Sequence, residues 1–275
     1  AGAFVSVALD GESIAVEERA LPQNGARSIV GLLSEDNVKQ ALERTWPCER
    51  QCELGPWRIF QSDGGGKRVC ATRLAFDQIS ASARQIDGAE QALRDLNQPL
   101  LFHIDEGQSE LDKTLEKRGY HLVDPTDLLA QPVADLCDQA LPKTTLFEIW
   151  PPLIIQKDIW AAGGVDPQRM NVMNRATEAK TSLLIRWKGR AAGTAYLACH
   201  GAVSMVHALI ISPEQRGQGL AKWAMRKAAL WGQSQGCSVL AVACTKENSV
   251  AQNLYSSLGM KHVGHYHYRL KGDLR

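Results

Sequence analysis

His207-Ala208-Leu209-Ile210-Ile211-Ser212-Pro213-Glu214-Gln215-Arg216-Gly217-Gln218-Gly219-Leu220-Ala221 reads as an apolar strand, a sharp turn at Pro213, a glycine-bearing loop and the start of a helix. Glycines let a loop backbone approach a ligand closely, and the first helical turn presents N–H groups that have no partner of their own. The combination is an anion site suited to a pyrophosphate. A dinucleotide fingerprint would need a third glycine where Lys222 stands, and a Walker loop would need Gly-Lys-Ser/Thr ahead of its helix. Neither is present.

Downstream, Leu220, Trp223, Ala224, Lys227, Ala228 and Trp231 recur at helical spacing and Gly236 stands where a C-cap belongs, which predicts a helix over about 219–235. Ser238–Cys244 is a short apolar run that reads as a buried strand, and Asn248–Met260 starts on an N-cap type and closes on Gly259, the pattern of a short helix. The loop Arg216, Gly219, Ala221 matches Arg-x-x-Gly-x-Gly/Ala, and Asn248, Ala251, Leu254, Tyr255 and Gly259 match Asn-x-x-Ala-x-x-Leu-Tyr-x-x-x-Gly. These two signatures, in this order, resemble those of the GNAT acetyltransferases.

That resemblance implies an α+β (α/β) GNAT acyl-CoA N-acyltransferase fold, with a mixed, mainly antiparallel sheet flanked by helices. It implies acetyl-CoA as co-substrate and no metal. Backbone amides of Arg216, Gly217, Gln218, Gly219, Leu220 and Ala221 would surround the pyrophosphate, with Asn248 beside the coenzyme. The backbone of Leu209, Ile210 and Ile211 would bind pantetheine as an added strand and polarise the thioester carbonyl. Tyr255 matches the family tyrosine that protonates the departing thiolate, although a core tyrosine on a helix face is the plainer reading.

Many family members carry a glutamate base on the strand before the loop, and this chain has none there. His207 shares a strand face with Leu209 and Ile211 and could accept the proton; a buried, hydrogen-bonded histidine is the equal alternative. Near the C-terminus, His265, His267 and Tyr268 are candidates to line the acceptor pocket, ahead of plain strand packing and far ahead of a metal site. Residues 160–170, with Gly163, Gly164 and Pro167, lie where the family places a mobile loop.

The organisation expected is a leader over 1–45, helical near 35–44; a degenerate GNAT-like domain over 46–135; and a catalytic GNAT domain over 136–275. Leu115–Val123 parallels Tyr255–Val263 around Gly119 and Gly259, but the first half has Leu115 in place of Tyr255 and no coenzyme loop. It should therefore not bind coenzyme. Within it, 57–60 and 68–74 read as a hairpin about Gly64–Gly66, followed by a helix over 76–96, a strand at 100–104, a helix at 109–118 and a strand from 120. Gly64–Lys67 reads as a turn and not as a phosphate cradle, because nothing helical follows directly. In the second half, 181–187, 192–199 and 203–211 predict three antiparallel strands leading into the loop.

A net charge of +1 gives no reason to expect nucleic acid or an anionic membrane as partner, and the apolar runs are too short for a bilayer span. Seven cysteines without a framework fit free thiols in the cytoplasm, and Cys48 and Cys52 are half of a zinc set at most. The function expected is acetyl transfer to a primary amine of a small molecule or peptide by direct attack in a ternary complex, by a monomer or a homodimer. The alternative is a non-catalytic acyl-CoA-binding regulatory module. An aminoacyl-tRNA-dependent transferase is a weaker rival, since no basic run is present.

Overall fold

The structure, a computed structural model, describes residues 33–143 and 145–272. Most of the expected leader, residues 1–32, lies outside the described residues. Its helical part is present as α1 (Glu35–Thr45), started by the Ser34 hydroxyl accepting from Asn37 N–H at 3.3 Å. Glu35 and Asp36 in the first turn and Arg44 in the last both suit the helix dipole. Val38, Ala41, Leu42 and Thr45 form one buried stripe, so this helix is part of the core and not a tail.

The first half continues with β1 (Arg50–Leu54), β2 (Trp57–Gln61), β3 (Arg73–Leu74), α2 (Ala83–Asp95), β4 (Leu100–Asp105), α3 (Ser109–Lys117) and β5 (His121–Pro132). The expected hairpin is present in part: Trp57 pairs with Leu74 and Arg58 with Arg73, but residues 67–69 form a 3-10 turn. β1, on the other side of β2, has no apolar alternation to announce it, because all five residues are exposed. α2 starts seven residues later than the pattern suggested. A reciprocal capping box between Ser82 and Gln85 sets its beginning.

The second half consists of α4 (Val133–Leu136), β6 (Leu146–Ile149), α5 (Ile154–Ala162), α6 (Pro167–Arg175), β7 (Lys180–Trp187), β8 (Arg190–His200), β9 (Val203–Ile211), α7 (Leu220–Ser234), β10 (Val239–Thr245), α8 (Ser249–Ser257) and β11 (Lys261–Lys271). The expected loop over 160–170 narrows to 163–166. α5 runs on through Trp160 to Ala162, and Asp166 caps α6 by accepting from Arg169 N–H at 2.7 Å.

Eight strands form one sheet in the order β4-β11-β5-β10-β9-β8-β7-β6. β5, from the first half, is antiparallel to both β10 and β11; β11, from the second, lies between β4 and β5. The units β4-α3-β5 and β10-α8-β11 thus have the same order of elements, and each inserts its last strand beside the other's first. On one face, Met225, Ala228, Ala229 and Trp231 of α7 pack with Leu197, Val206 and Leu240. On the other, Val38, Ala41 and Leu42 of α1 pack with Leu128, Met205 and Ala241. Each fully buried side chain of this kind contributes about 1.5–3 kcal/mol, and both clusters include residues of both halves. Among the described residues no helix is long and apolar enough to cross a membrane.

A fragment of residues 136–275 lacks β4 and β5 and leaves one edge of β10 and both edges of β11 unpaired. We expect it to melt without a cooperative transition by circular dichroism, whereas the full chain melts cooperatively. A sharp melt of the fragment near that of the full chain would contradict the shared sheet.

Candidate active site

β9 and β10 pair in parallel at only three positions, Val203 with Val239, Ser204 with Leu240 and Met205 with Ala241. Beyond Met205 the strands separate, and a cleft of about 1120 Å³ opens between them, reaching Leu209, Cys244, Asn248 and Tyr255. On the far side of β9 the register with β8 shifts between Tyr196–His207 and Thr194–Ile210. Ala208 takes up the extra residue at φ +49°, a left-handed conformation that costs an alanine roughly 1–2 kcal/mol. It is held there by the Trp160 indole, which donates to the Ala208 carbonyl at 2.9 Å. Gly163 lets α5 end this close to β9, since a Cβ there would lie 2.2 Å from Ile210 Cδ1.

Past Ile211, a 3-10 turn at Pro213–Gln215 leads into the glycine loop. Gly219 adopts φ +75° and caps α7 without a side chain; its carbonyl accepts from Lys222 and Trp223 N–H. The amides of Gly219, Leu220 and Ala221 therefore lie ahead of the first intrahelical acceptor, at the positive end of a 15-residue helix. Arg216 differs from its expected part: its amide donates to the Pro213 carbonyl at 3.3 Å and its Nε to the Ile211 carbonyl at 3.2 Å, so the side chain braces the turn. Gly217 also has positive φ, and Gln218 beside it is exposed. Asn248 lines the cleft, but its Oδ1 accepts from Ala251 N–H at 3.1 Å, capping α8.

Tyr255 reaches the cleft from α8, nearly buried. Burial, aided by neighbouring Cys244, raises its phenol well above the ordinary value, so it remains a protonated donor at neutral pH. Of the three strand residues, Leu209 lines the cleft, while Ile210 packs towards Trp160 and Ile211 towards Leu220.

His207 also lines the cleft, enclosed by Trp46 and Tyr196 at ring-centroid distances of 5.1 and 5.8 Å. The Thr45 hydroxyl donates to the Ala41 carbonyl at 2.6 Å, so towards His207 Nε2, 2.9 Å away, it acts as acceptor. That assigns the ring proton to Nε2 and leaves Nδ1 facing Arg68 Nη1 at 3.5 Å. Burial first, and then the Arg68 charge, hold its pKa well below 6.5. An imidazole whose cation is opposed from both sources is a weak proton acceptor, and this arrangement suits the buried, hydrogen-bonded alternative better than the base.

Tyr268 is buried and lines the cleft together with Tyr266. His265 and His267 belong to the other parity of β11. His267 Nε2 lies 2.7 Å from Asp112, which also binds Arg269, and His265 is 3.3 Å from Glu106. Neither lines the cleft, which corrects their grouping with Tyr268: strand alternation puts them on the opposite side from it. Among the described residues no cluster of three or more His, Cys, Asp or Glu side chains could hold a metal, and Cys48 and Cys52 are free thiols.

The first half supplies cleft residues that the motifs did not point to: Trp46, Gly64, Gly65, Lys67, Arg68 and Thr126 among them. Gly65 is pressed against Val172 of α6 and needs φ +88°, so the triple glycine is a close-approach loop as well as a turn. The glycines were visible in the sequence, but the contact of Arg68 just after them with His207, 139 residues away, was not.

Comparison with known proteins agrees with this geometry. Residues 148–260 match the acetyltransferase (GNAT) family model. This part of the chain is similar to GNAT domains. Acetyl-CoA dependence is general for that family. The chain is 23% identical over 252 residues to the uncharacterized N-acetyltransferase YobR of Bacillus subtilis (strain 168), covering 85% of this chain and 97% of that protein. It shares the fold of a GCN5-related N-acetyltransferase from Kribbella flavida, with a TM-score of 0.64 at 19% identity over 86% of this chain and 93% of the other. It also shares that of a tandem GNAT protein from the clavulanic acid biosynthesis pathway, with a TM-score of 0.55 at 12% identity over 86% and 87%. The matched region is thus completed, in this chain, by a strand that precedes it.

The lowered pKa of His207 has a consequence for stability. In the unfolded chain the imidazole protonates near 6.5, whereas in the folded chain it stays neutral to much lower pH, so stability is full above pH 6.5 and is lost as pH falls below it. His103, buried and lowered to about 4, adds to the same loss between 6.5 and 4. Each such group costs about 1.4 kcal/mol per pH unit in that window. Urea unfolding at pH 7 and pH 5 should show this decline, and His207→Gln should make it shallower; an unchanged slope would place the His207 pKa near its ordinary value.

Proposed function

We propose that the chain transfers the acetyl group of acetyl-CoA to a primary amine of a small molecule or peptide by direct attack within a ternary complex. The observation that carries this reading is the gap between β9 and β10 with Tyr255 lining it, and it is supported by the amide-rich start of α7 that follows β9 in the chain. Pyrophosphate is held at Gly217–Ala221, where the helix dipole and free amides favour negative charge. Pantetheine runs along the unpaired edge of β9 as an added strand. Close to the bulge at Ala208, a backbone N–H of the Leu209–Ile211 segment polarises the thioester carbonyl, on which charge develops as the amine attacks.

The acceptor enters from the side walled by the first half, where Trp46, Arg68 and Tyr268 line the same cleft. The tetrahedral intermediate collapses by breaking the C–S bond, and Tyr255 gives its proton to the departing thiolate. His207 in this reading shapes the wall of the cleft and anchors α1 through Thr45, and the proton of the attacking amine leaves through solvent in the open cleft. Residues 46–135 serve as a degenerate GNAT-like half that binds no coenzyme, and 136–275 as the catalytic one. The free thiols fit a cytoplasmic setting.

Calorimetric titration with acetyl-CoA should give one site per chain, abolished by Gly219→Glu, which strains a φ +75° position and adds a negative charge at the helix start. Tyr255→Phe should leave that affinity within about threefold while lowering kcat roughly 100-fold, within the usual range for a lost general acid. Two sites per chain would overturn the degenerate first half, and unchanged turnover in Tyr255→Phe would remove the phenol from the mechanism.

A further inference from the structure

Arg68 is a cation deep in the cleft that no carboxylate answers among the described residues. Of the other cations lining the cleft, Lys67 is 2.8 Å from Asp124 and Arg94 is 2.9 Å from Glu90, while Arg169 donates to the Gly164 carbonyl at 2.7 Å and Lys271 lies 5.4 Å from the Tyr120 ring. Around Arg68 stand only neutral groups. Its Nη1 faces His207 Nδ1 at 3.5 Å, the phenols of Tyr266 and Tyr268 lie within hydrogen-bonding range, and the Trp46 ring is 6.0 Å from its guanidinium carbon. Its Nε is buried and has no hydrogen-bond partner at all. A guanidinium removed from water normally brings a carboxylate with it, because an unpaired buried charge is costly.

The position of Arg68 is also built. It follows Gly66 at φ +95° in the 3-10 turn, the next residue, Val69, is fully buried, and the Arg68 carbonyl accepts from Arg73 Nη2 at 3.3 Å. Arg73 is itself fixed by Glu43 at 2.6 Å, a carboxylate that also binds Arg58 and so is not free for Arg68. The fold thus spends Glu43 on two other arginines and holds Arg68 against the cleft uncompensated. His207, which Arg68 touches, is two residues along β9 from Leu209, a separation of roughly 7 Å at strand spacing.

We propose that the acceptor amine carries a carboxylate and that Arg68 receives it, with Tyr268 beside it, a few bonds from the nitrogen that attacks the thioester. This inference rests on the acetyltransferase reading above and names its substrate class, an amino acid or a peptide end bearing a nearby carboxylate. A buried guanidinium without a carboxylate of its own calls for an anion, and the planar two-oxygen shape of a carboxylate fits a guanidinium fork. The neutral phenols supply donors to the same oxygens without adding a second charge.

The test compares matched pairs of acceptors, an amino acid and its decarboxylated amine (phenylalanine with phenethylamine, histidine with histamine, lysine with cadaverine), by thiol release from acetyl-CoA. In the wild type the acids should have a kcat/KM at least about 10-fold higher than the amines, as expected for a charged hydrogen-bonded contact. In Arg68→Gln the difference should fall to within about threefold, with acetyl-CoA affinity unchanged, and Arg68→Lys should lie between. Equal use of acids and amines by the wild type, or a preference that survives Arg68→Gln, would overturn the proposal.

A binding arm separates this inference from the function on which it rests. Calorimetry of the CoA-loaded chain with the N-acetylated acid and the N-acetylated amine should show binding of the acid alone, whether or not turnover is seen. If acetyl-CoA itself fails to bind, the acetyltransferase reading falls, and the same two ligands titrated into the free chain still decide Arg68. Binding of both ligands alike, or of neither, counts against it.

Discussion

The antiparallel seating of β5 between β10 and β11 is the constraint on which the rest of the molecule depends. β10 must diverge from β9 after Ala241 to open the cleft, so its hydrogen-bonding edge on the other side is what holds it in the sheet. That edge is paired with β5 over seven positions, from Val239 with Pro132 to Thr245 with Thr126. A strand splayed on one side and free on the other would be an edge in the middle of the protein, with unpaired backbone groups in an apolar setting. The first half removes that problem, and the cleft can remain open without loosening the sheet.

The same seating explains why the cleft has walls of two origins. β11 runs between β4 and β5, so Tyr266 and Tyr268, from the end of the chain, are brought to the side where Arg68 and Trp46 arrive from its beginning. α1 completes the enclosure from the face opposite α7, and Thr45 at its last turn fixes the tautomer of His207. The cleft is thus walled by β9 on one side and by the 46–68 region and β11 on the other.

Local chemistry made much of this legible in the sequence. The helices around 35–45, 109–117, 220–234 and 249–257 have the expected periodicity and caps, and the strands from 180 to 211 alternate or run apolar as buried strands do. β1 escaped notice because its five residues are all exposed, so nothing in their pattern distinguishes strand from loop. α4 and β6, between the prolines at 132 and 152, are four residues each and too short to show a period. The glycine turn into α7 and the place of Tyr255 on α8 were legible because both are local. The site was not legible where long-range pairing decides, since neither the side of β11 that faces the cleft nor the approach of Arg68 to His207 is encoded within any short window. Parity could have separated His265 and His267 from Tyr268, because residues an odd number apart on one strand face opposite ways.

The exchange of β5 and β11 bears on how such a chain can change through descent. A half that carries no Arg-x-x-Gly-x-Gly/Ala loop would ordinarily be free to vary or be deleted. Here its final strand is the structural neighbour of β10, and its own sheet is completed by the final strand of the other half. Gene fission between the halves, or recombination that replaced one alone, would leave two incomplete sheets. Divergence is therefore channelled into the loops and the cleft wall, where Arg68 and the triple glycine stand, while the strand ladder itself is inherited as one unit.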